Sequence, residues 1–156
     1  MPIELALYQP DIPQNTGTLL RLGACLGVKL HIIHPTGFTF SATTLRRSAL
    51  DYLGHVDFEE HASFATFDAF RRAAGRRLVL LTTRGTTSAY AAKFEHRDIL
   101  MVGRESAGVP SEVAAVADLR LRIPMHPGLR SINVAVAAAM VLGEAKRQTD
   151  GFEALT

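Results

Sequence analysis

Two stretches in the second half of the chain hold the residues whose types and spacing could do chemistry: Leu100–Pro110 (LMVGRESAGVP) and Arg122–Ala145 (RIPMHPGLRSINVAVAAAMVLGEA). In each, a short apolar run breaks into a turn rich in glycine and proline and then into a helical pattern. Open α/β sheets hold ligands in this way, beyond the carboxyl ends of their strands. What the loops offer is main chain. Gly103 and Gly108 permit close approach or positive φ, Pro110 opens the next helix, and Ile123, Pro124 and Met125 form an apolar lip before Pro127 and Gly128. Such a lining suits a flat, largely uncharged ring, an adenine being a natural candidate; glycines and prolines also serve simply to turn the chain. On residue type alone, Glu105 is a solvated loop acid, Ser131 a helix N-cap, and Asn133 a first-turn residue with no necessary function.

Other chemistries lose their anchors. No Gly-x-Gly-x-x-Gly follows the first strand and no Walker phosphate loop occurs, which removes the usual dinucleotide and nucleoside-triphosphate readings. Gly23 and Gly27 read as packing and capping residues. No Gly-x-Ser-x-Gly elbow is present for a hydrolase. The six histidines are scattered with no metal-ligand spacing, so no metal is expected, and His126 reads as a loop residue beside Pro127. The single cysteine, Cys25, sits in the apolar pattern LLRLGACLG and reads as a packed core thiol.

The elements that must position the loops alternate between strand and helix. Strand signals cover Ile3–Tyr8, Val28–Ile33, His55–Glu60, Arg77–Thr83, Ile99–Gly103 and Asp118–Pro124. Between them, Asn15 is a plausible N-cap for a helix over Thr16–Leu26 with Leu19, Leu22 and Leu26 on its apolar face and Gly27 closing it. A short helix spans Thr44–Tyr52, another carries Phe64, Phe67 and Phe70 with a basic end, and the last runs from about Ser131 to Arg147. The alternation predicts an α/β fold, a mostly parallel sheet with helices on both faces. No linker or internal repeat divides residues 1–156, so a single domain is expected.

A chain of 156 residues, 47% hydrophobic and 21% charged, is ordinary for a globular protein able to bury a core. Nothing in it reads as a membrane span or a signal peptide, and the expected location is cytoplasmic. The net charge of +2 points only weakly to a polyanion, but fourteen of the seventeen basic residues are arginine, the better phosphate fork.

Taken jointly, Ile12–Gly27 (IPQNTGTLLRLGACLG), Leu81–Thr86 (LTTRGT) and the two loops resemble the SPOUT class of RNA methyltransferases, in the right order and over nearly the whole chain. Within it, the short length and the opening LYQPDIPQNTGTLLRLGACLGVKLHIIHPTGF look like the compact enzymes that methylate the ribose 2′-oxygen of a cytidine or uridine at the tRNA wobble position. The resemblance implies a C-terminal trefoil knot, S-adenosylmethionine as cofactor, and a homodimeric site. It places the first motif on Asn15 and Arg21, the second on Gly103, Glu105 and Gly108, and the third on Ile123, Pro124, Ser131 and Asn133. The implied cofactor pocket is lined by Leu81, Thr82 and Thr83, by Gly103, Glu105 and Gly108, by Ile123, Pro124 and Met125, and by Leu129 and Ser131. Three positions depart from the pattern: Arg104 stands where many relatives have proline, the third motif reads SINVAVA instead of SLNLS, and Gly143 replaces an aromatic.

The implied catalytic set is Arg21, Asn15, Glu105, Ser131 and Asn133. A guanidinium does not surrender a proton near neutrality, so Arg21 reads as the group that grips a phosphate of the RNA and orients the 2′-hydroxyl, a phosphate or water taking the proton. Arg21 lies off the leucine face of its helix, where it is exposed, while Asn15 acts through cap or loop geometry and Ser131 and Asn133 position Arg21 or substrate across the dimer. Contacts to the tRNA anticodon stem-loop are expected from Arg46, Arg47, Arg71, Arg72, Arg76, Arg77, Arg84 and Arg130, several of which a solvated face would equally explain. The alternatives are ribose methylation at another tRNA or ribosomal RNA site, and a non-catalytic RNA-binding module that keeps the fold.

Overall fold

The computed structural model describes the backbone of residues 1–156 and the side chains of residues 1–45 and 52–156. The expectations for Arg46 and Arg47 lie outside the described side chains. Seven strands, β1 (Glu4–Tyr8), β2 (Leu30–Ile33), β3 (Phe58–His61), β4 (Arg77–Leu81), β5 (Thr87–Ser88), β6 (Asp98–Val102) and β7 (Leu119–Arg122), form one sheet in the order β3-β2-β1-β6-β4-β7-β5. Every ladder pair is parallel. Five helices accompany it: α1 (Pro13–Leu26), α2 (Ala42–Ala49), α3 (Phe64–Ala73), α4 (Ser111–Ala115) and α5 (Val134–Gln148).

Alternation along the strands sorts the core into two layers, as a parallel sheet covered on both faces requires. Leu5 and Leu7 of β1 join Leu19 and Leu20 of α1 and Val141 and Leu142 of α5. Ala6 and Tyr8 point the other way, to Phe67 of α3 and Val113 of α4. The fold class is therefore the one expected.

Boundaries differ where capping chemistry decides them. Asn15 is not the N-cap of α1: the helix starts at Pro13, whose fixed φ and missing N–H suit a first position, and Ile12 precedes it. Gly27 ends α1 at φ +62°, its N–H donating to the Gly23 carbonyl. Ser131 does not cap α5; Asn133 does, its side-chain oxygen accepting from the Ala135 and Val136 N–H groups at 2.8 and 3.2 Å. Cys25 is exposed, not packed in the core. The buried side of α1 runs through Thr16, Leu19, Leu20 and Gly23, and Cys25 falls roughly opposite its centre at ~100° per residue.

The amino ends of the strands are laced by ion pairs. Asp98, almost wholly buried, receives Nε and Nη2 of Arg77 at 2.7 and 2.8 Å and the N–H of Glu95 at 2.9 Å. Arg76 reaches Glu4 at 2.8 Å, and buried Arg71 bonds Asp68, Asp118 and the carbonyls of Arg76 and Val116. These three arginines hold the fold, contrary to their expected role toward RNA, because acids remote in sequence come beside them. Arg72 is exposed but paired with Asp68 at 2.7 Å.

At the other edge one short link crosses a strand. Leu81 of β4 and Thr87 of β5 both pair with Leu121 of β7, so the link Thr82–Thr86 straps across β7 while β4 and β5 flank it. Thr82 N–H donates to the Leu121 carbonyl and Ala89 N–H to the Arg122 carbonyl, each at 2.8 Å. A link that crosses a strand between its two neighbours is one of the crossings that the trefoil knot implied by the resemblance requires. A Cβ on Gly85 would lie 2.4 Å from the Leu121 carbonyl carbon, so only glycine lets the strap lie this close. Gly85→Ala is expected to lower stability by about 1–3 kcal/mol, the usual cost of overpacking. Gly143→Ala, on α5 with open space around it, is expected to raise it by up to about 1 kcal/mol; urea unfolding followed by circular dichroism measures both.

Candidate functional site

The carboxyl ends of β4, β6 and β7 open into a cavity of about 860 Å³, at the upper end of the size range of small-molecule sites. Leu81, Thr82 and Thr83 line it after β4; Gly103, Glu105 and Gly108 after β6; and Ile123, Pro124, Met125, Leu129, Ser131 and Asn133 after β7. Asn15 reaches it from α1. Arg21 does not.

Each loop has a local reason for its shape. Arg104 and Gly108 exchange backbone hydrogen bonds at 3.1 and 2.9 Å, closing the loop after β6 into a tight turn that Gly108 permits at φ +61°. Gly103 packs against that turn so closely that a Cβ would sit 2.8 Å from the Gly108 carbonyl carbon. The loop after β7 turns at Gly128, φ +88°, before Asn133 starts α5.

Two side-chain ties join the three segments. Asn133 donates its amide to the Asn15 side-chain oxygen at 3.0 Å while its own oxygen caps α5, so one residue couples α1 to the last helix. Asp11 and Glu105 embrace reciprocally: Asp11 N–H donates to Glu105 Oε2 at 3.0 Å and Glu105 N–H to Asp11 Oδ1 at 3.1 Å. Ser106 Oγ donates to the second Asp11 oxygen. Between the paired carboxyls, the bond from Glu105 holds Asp11 below the ordinary carboxylate range, whereas burial, and then the bond to Asp11, pushes Glu105 up. The Glu105 carboxylate, accepting from the Asp11 N–H while its own N–H donates to Asp11, is one half of a loop clamp.

Arg21 stands exposed on α1 with its guanidinium 4.6 Å from the centre of the Tyr52 ring, a cation–π contact. Ser131 is exposed at the cavity rim, and His126 is a loop residue whose Nδ1 meets the Pro127 carbonyl at 3.2 Å. Of the arginines expected to meet RNA, Arg130 lines the cavity and Arg84 is exposed on the strap. Arg104 and Arg122 line the cavity as well, and sequence reasoning did not assign them to RNA. It also missed Asp11, whose signal was an acid held between Pro10 and Pro13 just after a buried strand.

Residues 2–143 match the model of the SpoU rRNA Methylase family. The chain is 53% identical over 152 residues to the tRNA (cytidine(34)-2′-O)-methyltransferase of Ancylobacter novellus, covering 97% of this chain and 96% of that one. A solved structure described as giving structural insights into the 2-OH methylation of C/U34 on tRNA superposes with a TM-score of 0.88 at 45% identity, covering 94% of this chain and 95% of that chain. The SpoU methyltransferase AviRb from Streptomyces viridochromogenes, solved in complex with the cofactor AdoMet, superposes with a TM-score of 0.83 at 26% identity, over 94% of this chain and 57% of that chain.

The clamp has a direct readout. Asp11→Ala removes the acceptor for Glu105 and Ser106 and is expected to speed amide exchange across residues 104–108 by about 10-fold, the equivalent of one or two hydrogen bonds. Asp11→Asn, which keeps a carbonyl acceptor, should move it much less; hydrogen exchange read by mass spectrometry separates the two.

Proposed function

We propose that this chain, which belongs to the SpoU rRNA methylase family, is a single-domain enzyme of residues 1–156 that uses S-adenosylmethionine to methylate the ribose 2′-oxygen of cytidine or uridine at position 34 of tRNA. The observation that carries the reading is the cavity where three strand ends meet, tied by Asn133 to α1 and by Asp11 to the loop after β6. Its relative in Ancylobacter novellus supports the substrate, and AdoMet-bound AviRb supports the cofactor. The lining fits such a cofactor: Ile123, Met125 and Leu129 supply apolar walls for a nucleoside, and the tight Gly103–Gly108 turn brings main chain to the floor.

S-adenosylmethionine supplies an electrophilic methyl group on a sulfonium. This chain's residues have to hold the donor, bring the 2′-hydroxyl into line with it, and manage the hydroxyl proton. Leu81–Thr83, Ile123–Met125 and Leu129 enclose the donor; Glu105, fixed by Asp11, keeps the middle loop in place. Arg21 grips a phosphate of the RNA and orients the ribose, with that phosphate or a water accepting the proton. Ser131 and Asn133 align the groups around the acceptor, and Asn15 is held for this by Asn133.

Because Arg21 is outside the cavity of its own chain, we assign it to the cavity of a second copy. Ile12 and Ile132, close in sequence to the tied Asn15 and Asn133, are exposed, as are Val136 and Met140 further along α5 and Leu129 (70%) before it. Exposed apolar side chains of this kind fit an isologous homodimer. Arg84, Arg104, Arg122 and Arg130 then face the anticodon stem-loop. Among the described residues no helix is long and apolar enough to cross a membrane, and a tRNA-modifying role is consistent with the cytoplasm.

Labelled S-adenosylmethionine incubated with the protein and total tRNA, followed by nucleoside mass spectrometry, is expected to give 2′-O-methylcytidine or 2′-O-methyluridine mapping to position 34. No transfer to any RNA would overturn the enzyme; a 2′-O-methyl mark elsewhere would overturn only the position. Arg21→Lys is expected to cut kcat about 10–100-fold with S-adenosylmethionine and tRNA binding unchanged, the loss of one bidentate charged contact. Near-normal turnover of that variant would remove the orienting role.

A further inference from the structure

The half of the sheet formed by β1, β2 and β3 carries a polar cluster that methyl transfer does not use. His31 of β2 is fully buried and His61 of β3 nearly so, packed among the rings of Phe67 and Phe70 of α3. His31 Nδ1 and His61 Nε2 are 2.9 Å apart, and His31 Nε2 is 2.8 Å from Glu4 Oε2. Glu59 sits on the same face as His61, and ligand atoms of His31, His61 and Glu59 all lie within 4.8 Å of one another. The parallel register assembles them: His31 lies level with Glu59, and His61 two residues further along the same face.

We propose that His31, His61 and Glu59 bind one divalent cation of the zinc class, taking Nδ1, Nε2 and a carboxylate oxygen as ligands. Glu4 sets the tautomer. A carboxylate accepts, so the His31 proton is on Nε2 and the Nδ1 lone pair faces His61, the carboxylate–histidine arrangement that orients imidazole ligands on metals. Arg76 in turn holds Glu4 at 2.8 Å. Two imidazole nitrogens on a tetrahedral ion at about 2.0–2.1 Å are about 3.3–3.4 Å apart, so the pair opens by only about half an ångström to admit it.

Without metal, His61 donates its Nε2 proton to His31. Metal binding sends that proton to solvent while Nδ1 of His61 takes one up, so the ring stays neutral. Lys29 holds Glu59 through Oε2 at 2.9 Å, and Oε1 is the oxygen left to the metal. Two nitrogens and one carboxylate oxygen are a donor set that zinc accepts in three-ligand sites with an open position. Glu59, partly exposed, provides the entry side. The cation staples β3, the edge strand, to β2.

Protein dialysed against chelator and titrated with Co²⁺ is expected to take up one equivalent with the visible bands of a four- or five-coordinate site, and Zn²⁺ to displace it. His61→Gln keeps an N–H donor for His31 and Glu59→Gln keeps the shape at a partly exposed position; each should weaken uptake at least 10-fold while the circular dichroism spectrum is retained. Cys25→Ser, removing the exposed thiol, should leave uptake unchanged. Absence of saturable uptake, uptake unaffected by Glu59→Gln, or uptake lost in Cys25→Ser overturns the site. Should His61→Gln fail to fold, Glu59→Gln decides alone.

Discussion

The crossing of the Thr82–Thr86 strap over β7 is the constraint on which the rest depends. Because β4 and β5 flank β7 at the level of Leu121, the segment that leaves β7 emerges between them, at the carboxyl edge of the sheet. Everything from Ile123 onward then has a fixed starting point. The loop to Asn133 closes the cavity, and α5 is delivered against α1, where Ala138, Val141 and Leu142 join the core with Leu19 and Leu20. Gly85 is the narrowest point of that crossing. A backbone atom, unlike a side chain, has no rotamer in which to move aside, so the closeness there is held by the main chain itself.

Bonds across long sequence separations convert this placement into a site. Asp11 and Glu105 are 94 residues apart and Asn15 and Asn133 are 118 apart, yet each pair is in direct contact. The ties hold the inner wall of the cavity, and its rim at Leu129, Arg130 and Ser131 is exposed.

Periodicity carried the architecture well. Buried runs such as LALY and ILMV are strands on which both faces are covered, and Phe64, Phe67 and Phe70 announced α3 by their spacing. The two-residue β5 offers too little pattern to be seen, and it is the strand that makes the crossing. The caps lie two or three residues from Asn15 and Ser131, because Pro13 opens α1 and the Asn133 side chain accepts from the first N–H groups of α5. The glycines and prolines of the two loops suited a pocket but equally a plain turn, and the resemblance chose between them; Asp11 was not seen, because its value lies in a partner that only folding supplies. The histidine pair was hidden likewise: residues 30 apart have no spacing to recognise until adjacent parallel strands bring them level. Threading left no trace in the hydrophobic pattern and came only from the resemblance.

Seven of the arginines divide by end of the sheet. Arg71, Arg76 and Arg77 are neutralised against Asp68, Asp118, Glu4 and Asp98 at the amino ends of the strands. Arg84, Arg104, Arg122 and Arg130, by contrast, gather at the carboxyl ends and have no ion pair among the described residues. The unpaired arginines thus put positive potential at the cavity mouth, although the formal net charge is only +2. A polyanion drawn to that potential meets the cavity end first. That attraction acts over roughly a Debye length, about 8 Å at physiological ionic strength, so salt would slow productive encounter by weakening it.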